Sequence, residues 1–230
     1  MSQNFVRPTW LFIKVYRQNK LWCFFQSHFY HATSFSEASN YRPISLTSVA
    51  CKCLEHIINH HVMSHLDRHS ILHKAQHGFR KGRSCESLLI LTIQDLAKGL
   101  DNGSQIDAIL LDFSKAFDKV PHQRLLCKLN HYGVRGLVLN WITSFLAGRS
   151  QSVACEGSAS TAKRVISGVP QRTVLGPLLF LVYISDLPSC VAACLFVASA
   201  DHHSCVVSAS YSFTGPLLCY CMKTAYKNVC

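Results

Sequence analysis

The sequence predicts an α+β chain, and three observations carry the prediction. Apolar residues recur at helical spacing over three separate stretches. A short apolar run, IDAILLDF, is bounded by DNGSQ in front and a polar turn behind, and so reads as a strand. The elements come as helices, then a strand, then helices and further strands. That order suits α+β better than a regular βαβ alternation.

Residues 1–35 are rich in aromatic and basic residues and show no clear period. In SVACKCLEHIINHHVMSHL, Val49, Leu54, Ile57, Ile58, Val62 and Leu66 recur as the apolar face of a helix, with its four histidines mostly on the polar side. A basic loop follows, HGFRKGRS, with Arg80, Lys81 and Arg83. Ser84 is placed to cap the next helix, which Asn102 and Gly103 would end. After the strand, HQRLLCKLNHYG and RGLVLNWITSFLAG each read as a helix with a glycine just past its end. QSVAC and KRVIS read as short strands, GVPQ as a turn, and PLLFLVYISDL as a buried helix ending before Pro188. CLFVASAD reads as a second strand that ends in an acid, Asp201. The tail from about residue 206 has no readable pattern.

Just under half of the 230 residues are apolar, enough for a substantial core. Lys and Arg number 23 against 12 Asp and Glu, a net charge of +11 that favours a polyanionic partner. The excess is uneven: residues 173–222 hold no Lys or Arg. WLFIKVY is interrupted by Lys14 and lacks a small-residue cleavage site, so it does not read as a signal peptide. The twelve cysteines are therefore expected to be reduced. The longest apolar run is broken by Gly176, Pro177, Asp186 and Pro188, which argues against a membrane span.

Two apolar runs end in aspartates, Asp112 and Asp201, and a further acid, Asp118, follows Asp112 closely. If the two strands are neighbours, two carboxylates meet at one edge of a sheet. Like charges held close are costly unless a cation joins them. Hard divalent cations take oxygen ligands. Two such ions about 3.5–4 Å apart serve phosphoryl transfer. A lone strand-end aspartate is more often a turn residue or a helix cap, so the spacing alone is weak. A zinc site from Cys190, Cys194, His202, His203 or Cys205 has suitable residue types but fits no standard ligand spacing.

NYRPISLTSV, AQHGFRKGRSCES, AILLDFSKAFDKVPH, HYGVRGLVLNWITSFL and SGVPQRTVLGPLLFLVYISDLP resemble, in this order, the reverse transcriptase domain of non-LTR (LINE-type) retrotransposons. The resemblance implies the fingers and palm of a right-handed polymerase over residues 36–205, with the thumb missing. Residues 1–35 and 206–230 are left unassigned. It implies that Asp112, the Phe113 carbonyl and Asp201 hold Mg2+ or Mn2+, the two aspartates being catalytic. Arg80 matches the fingers arginine that grips the triphosphate, and Arg42 lies where the family holds template or nucleotide. Phe117 matches the bulky residue under the incoming sugar, and Gln171 the palm glutamine against template and incoming base. The implied partners are an RNA template, a DNA primer and a dNTP, with no membrane. The implied location is intracellular, nuclear or cytoplasmic.

The chain also departs from the family pattern. His202 stands where a second adjacent aspartate belongs, and imidazole is a poor ligand for Mg2+. Arg172 replaces a glycine that allows a tight backbone beside the nucleotide. The basic stretch expected before NYRPIS is absent, and the chain stops soon after the presumed active-site hairpin. These departures predict impaired RNA-directed DNA polymerase activity. The alternative is a non-catalytic remnant that at most binds nucleic acid through a basic fingers surface.

Overall fold

The computed structural model describes residues 8–15, 42–103, 106–113, 115–155, 158–187, 195–198 and 204–209. In chain order the elements are β1 (Pro8–Val15), α1 (Val49–Arg68), α2 (Cys85–Asp101), β2 (Ile106–Phe113), a 3-10 turn (Ala116–Lys119), α3 (His122–His131), α4 (Gly136–Leu146), β3 (Ser150–Gln151), β4 (Ala154–Cys155), β5 (Ser158–Ala159), β6 (Lys163–Arg164), α5 (Leu175–Ile184), β7 (Leu195–Ala198) and β8 (Ser204–Ala209). They fall into two units. A sheet unit holds β1, α2, β2, β7 and β8 with the loop that precedes α2. A helical unit runs over Ile44–His73 and Lys115–Asp186.

In the sheet unit, IDAILLDF folds as β2 with the bounds the sequence predicts, because polar turns flank the apolar run on both sides. The sheet is antiparallel with the order β1-β2-β8-β7. β1 comes from the stretch with no readable period, and its partner lies far along the chain. The second acid-ended run does not itself border β2: β7 stops at Ala198, and its hairpin mate β8 lies between them. β8 begins at Ser204, opposite Asp112. β7 therefore ends, and β8 begins, at the end of the sheet where β2 carries Asp112. β8 runs on to Ala209, into the tail that has no readable sequence pattern. α2 packs against β2. Ser84 caps it as expected: its hydroxyl accepts from Ser87 N (3.2 Å), and the Ser87 hydroxyl accepts from Ser84 N (3.0 Å).

The helical unit is built around α5. Nine of its ten residues are buried, all but Pro177. A helix apolar on every side has no solvent face and must be enclosed. α1 and α3 pack against it, and α4 packs on α3. α1 contributes Ile58, Val62 and Leu66, an i, i+4, i+8 stripe. Val49, Leu54 and Ile57, expected on the same face, are 78%, 39% and 56% exposed. Neighbouring residues of a helix point roughly 100° apart, so Ile57 cannot share the narrow stripe of Ile58. The histidines divide too: His56, His60 and His61 are exposed, whereas His65 sets Nε2 2.8 Å from the Tyr132 carbonyl oxygen.

The buried stripe of α1 starts with an acid. Glu55 is fully buried, and its Oε2 accepts from Val174 N (2.8 Å) and Leu175 N (3.1 Å) at the start of α5. At the other end, Lys128 Nζ of α3 donates to the Tyr183 carbonyl (2.5 Å) and to Asp186 Oδ1 (2.6 Å). A negative group thus sits at the helix N-terminus and a positive one at its C-terminus, each complementing the helix dipole. Among the described residues no helix is long and apolar enough to cross a membrane.

Glu55→Ala leaves two amides at the start of α5 without an acceptor and is expected to cost about 2–4 kcal/mol. Glu55→Gln keeps an acceptor oxygen and is expected to cost less. Urea unfolding of the two variants checks the order; equal stability of all three proteins would contradict the capping role.

Candidate active site

Two segments of the helical unit far apart in sequence are stitched together. The 3-10 turn carries Phe117 and Asp118; the SGVPQ turn carries Ser167 to Gln171. Val169 N donates to Phe117 O and Gly168 N to Val120 O, both at 2.8 Å. Ser167 Oγ donates to Asp118 O (3.1 Å), and Gln171 Nε2 donates to Asp118 Oδ1 (2.7 Å). Gly168 makes the approach possible. Its φ is +93°, and a Cβ there would stand 2.7 Å from Asp118 O. A similar constraint acts at Gly176, where a Cβ would stand 2.4 Å from Pro170 O. Thr173 Oγ1 donates to Pro170 O (2.7 Å) and accepts from Gly176 N (3.1 Å), locking the turn onto α5.

Phe117 is buried, and its ring stacks on Phe180 of α5 with centroids 4.4 Å apart and planes 19° apart. Gln171 is half-buried, with its carbonyl accepting from Ser45 N (3.3 Å). The structure therefore brings Phe117 and Gln171 into one network. Sequence reasoning gave no role to the residue that joins them, Asp118. The signal available was an acid inside the same DFSKAFDKV block.

The other expected site residues stand in the sheet unit. Asp112 and Phe113 are the last two residues of β2, at the end where β7 and β8 meet. Arg42 is exposed. Arg80 is half-buried in the loop before α2. Its neighbour Arg83 braces that loop, with its guanidinium donating to the carbonyls of Lys74 and Gln76 (2.9 Å to the latter). His77, buried in the same loop, sets Nδ1 3.1 Å from Ser87 Oγ. Asp201 lies outside the described residues, as do Cys190, Cys194, His202 and His203. Among the described residues no group of three or more His, Cys, Asp or Glu is placed to hold a metal. Asp112 and Phe113, the last two residues of β2, have a carboxylate and a backbone carbonyl to offer, and such oxygen donors suit a hard divalent cation.

Four non-glycine residues with positive φ occur among the described residues, and three lie inside the quoted blocks. They are Phe79 in HGFR (φ 56°), Lys115 in DFSKAF (φ 55°) and Arg172 after GVPQ (φ 60°). Left-handed backbone costs a residue with a Cβ about 1–2 kcal/mol, and such strain gathers at functional sites. Arg172 thus occupies a conformation that glycine adopts freely, and it is exposed.

A reverse transcriptase (RNA-dependent DNA polymerase) family model matches residues 32–209, and the chain belongs to that family. The relatives point to the kind of element. The chain is 32% identical over 152 residues to the probable RNA-directed DNA polymerase from transposon X-element of Drosophila melanogaster, which covers 66% of this chain and 17% of that protein. It is 33% identical over 155 residues to the probable RNA-directed DNA polymerase from transposon BS of the same fly, covering 65% and 16%. It is 32% identical over 154 residues to the RNA-directed DNA polymerase from mobile element jockey, also from that fly, covering 67% and 17%. The chain thus resembles the reverse transcriptases of non-LTR retrotransposons and spans under a fifth of the length of these curated relatives.

Two predictions follow from this geometry. Arg172→Gly releases left-handed strain and is expected to stabilise the protein by about 1 kcal/mol; a lower melting temperature would contradict this. Burial holds the His77 imidazole below its ordinary value of 6.5, helped by the charges of Arg83 and Arg80 and opposed by a hydrogen bond with the Ser84 backbone. Burial also lowers His73. With folded values below unfolded ones, the unfolded chain binds the extra protons, so stability rises with pH. It is expected to be complete above about pH 6.5 and to fall as the pH drops below it. Melting temperatures between pH 8 and pH 5 check the direction, and His77→Gln should flatten part of the slope.

Proposed function

We propose that this chain is the fingers and palm region of an RNA-directed DNA polymerase of a non-LTR retrotransposon. The observation that carries the reading is the stitching of DFSKAFDKV to SGVPQ, the two most specific blocks of the family resemblance. In this reading the primer 3'-hydroxyl, losing its proton, attacks the α-phosphate of a dNTP selected by an RNA template, and the bond to the β-phosphate breaks to release pyrophosphate. Arg80 holds the triphosphate, since a planar guanidinium suits bidentate phosphate contact. Arg42 lies near template or nucleotide. Phe117, whose ring stacks on Phe180, would lie under the incoming sugar and clash with a ribose 2'-hydroxyl, favouring deoxynucleotides. Gln171 lies against the template and the incoming base. Reverse transcriptase domains generally use divalent metal ions. Asp112, the Phe113 carbonyl and Asp201 would hold Mg2+ or Mn2+, which supplies charge stabilisation at the transferring phosphorus.

Two residues weaken the activity in this reading: His202, an unsuitable Mg2+ ligand beside Asp201, and Arg172, strained at φ 60° next to Gln171. The strain at Arg172 favours a second reading. In it the chain is a non-catalytic relative that binds nucleic acid through phosphates, with an affinity that falls steeply with salt.

Primer extension on poly(rA)/oligo(dT) with Mg2+ or Mn2+ separates the readings. Incorporation by the chain that Asp112→Ala abolishes supports the polymerase. Incorporation only after His202→Asp with Arg172→Gly assigns the defect to those two positions. A thousandfold gain on that repair corresponds to about 4 kcal/mol of barrier. Silence from all forms, with salt-sensitive binding retained, supports the second reading.

A further inference from the structure

We propose that Asp118 is a positioning residue for the nucleotide pocket: its carboxylate fixes which face of the Gln171 amide meets the incoming base pair. The inference rests on the polymerase reading above, and it gives a task to an acid that the reading leaves idle.

The backbone of Asp118 is held on several sides. Its N–H closes the 3-10 turn onto Lys115 O (3.0 Å), and its carbonyl accepts from Ser167 Oγ. Gly168 packs so close that no side chain fits between them. The neighbouring Phe117 and Val120 carbonyls are tied to Val169 and Gly168, and the Phe117 ring is clamped on Phe180. On so fixed a backbone only the side-chain torsions of Asp118 remain to be set, and its carboxylate meets the Gln171 amide.

A glutamine amide left to itself can present either its oxygen or its NH2 group to a ligand, and the two flips differ little in shape. Asp118 breaks that symmetry. A carboxylate only accepts, so the amide must turn its NH2 toward Oδ1, and the contact is short at 2.7 Å. The Gln171 backbone carbonyl accepts from Ser45 N at the same time. Both ends of the residue are then fixed, and Gln171 offers its Oε1 and one remaining N–H in a preset arrangement. A preset polar group recognises a base pair without first paying to order itself. The ligand class is thus the base of a dNTP paired with its template base, and Asp118 acts on it only through Gln171.

The test uses the full chain, an RNA template and a 3'-dideoxy DNA primer in Mn2+, so that binding is read without turnover. Affinity for primer–template is titrated first, then the affinity of that complex for the correct dNTP. Asp118→Ala is expected to weaken dNTP binding about tenfold or more, the loss of one hydrogen bond to a charged group, with primer–template affinity unchanged. Asp118→Asn keeps an acceptor oxygen and is expected to retain most of the dNTP affinity at an unchanged melting temperature. In a Gln171→Ala background, Asp118→Ala is expected to add nothing. Equal losses in both backgrounds would overturn the positioning role, as would an Asn variant that melts normally yet binds dNTP as poorly as the Ala variant. A chain that binds no primer–template would overturn the polymerase reading and this role with it, and the first titration tells that failure apart from the others.

Discussion

An apolar helix can be buried only if its polar ends are satisfied, because uncapped amides and carbonyls lose water and gain nothing. α5 is such a helix, and the helical unit is arranged around meeting that demand. Glu55 reaches from α1 to the first amides, and Lys128 reaches from α3 to the Tyr183 carbonyl in the last turn. Each side chain carries the charge the helix end favours. Each also fixes the helix it comes from, so α1, α3 and α5 are tied by two polar contacts as well as by packing. Lys128 has a further anchor in the Tyr183 ring, 4.9 Å from its ammonium.

That grip extends to the proposed site. Glu55 holds Val174 and Leu175, and the Thr173 hydroxyl bridges Pro170 O and Gly176 N on either side of them. The SGVPQ turn is therefore a rigid extension of α5. It in turn pins the 3-10 turn through Gly168 and Val169 and backs Phe117 with Phe180. Rigidity at that junction explains how left-handed backbone survives at Lys115 and Arg172: a strained conformation persists where its surroundings over-determine it.

The sequence made some of this readable for identifiable reasons. β2 is bounded by polar turns, and Ser84, Gly133 and Gly148 sit at helix ends, so local chemistry marks those elements. β1 and β8 were not readable, because their apolar runs acquire meaning only when paired with β2. The buried face of α1 is narrower than its apolar spacing predicts, since Val49, Leu54 and Ile57 are apolar but lie off the buried stripe. Glu55 was missed because its partners are amides far along the chain, although an acid heading an apolar stripe is a signal in retrospect. Among the expected site residues, Phe117 and Gln171 meet in one network, and Asp112 stands at the sheet end where β7 and β8 join. Asp201 lies outside the described residues, so the pairing of the two aspartates rests on the resemblance.

The most direct measurement is native-state hydrogen exchange at four amides: Gly168, Val169, Val174 and Leu175. If α5 and its caps hold the junction, all four should exchange only with global unfolding of the helical unit and share one free energy of opening. Fast exchange at Gly168 and Val169 while Val174 and Leu175 stay protected would mean that the junction opens on its own. The buried helix would then not be what holds Phe117, Asp118 and Gln171 in place.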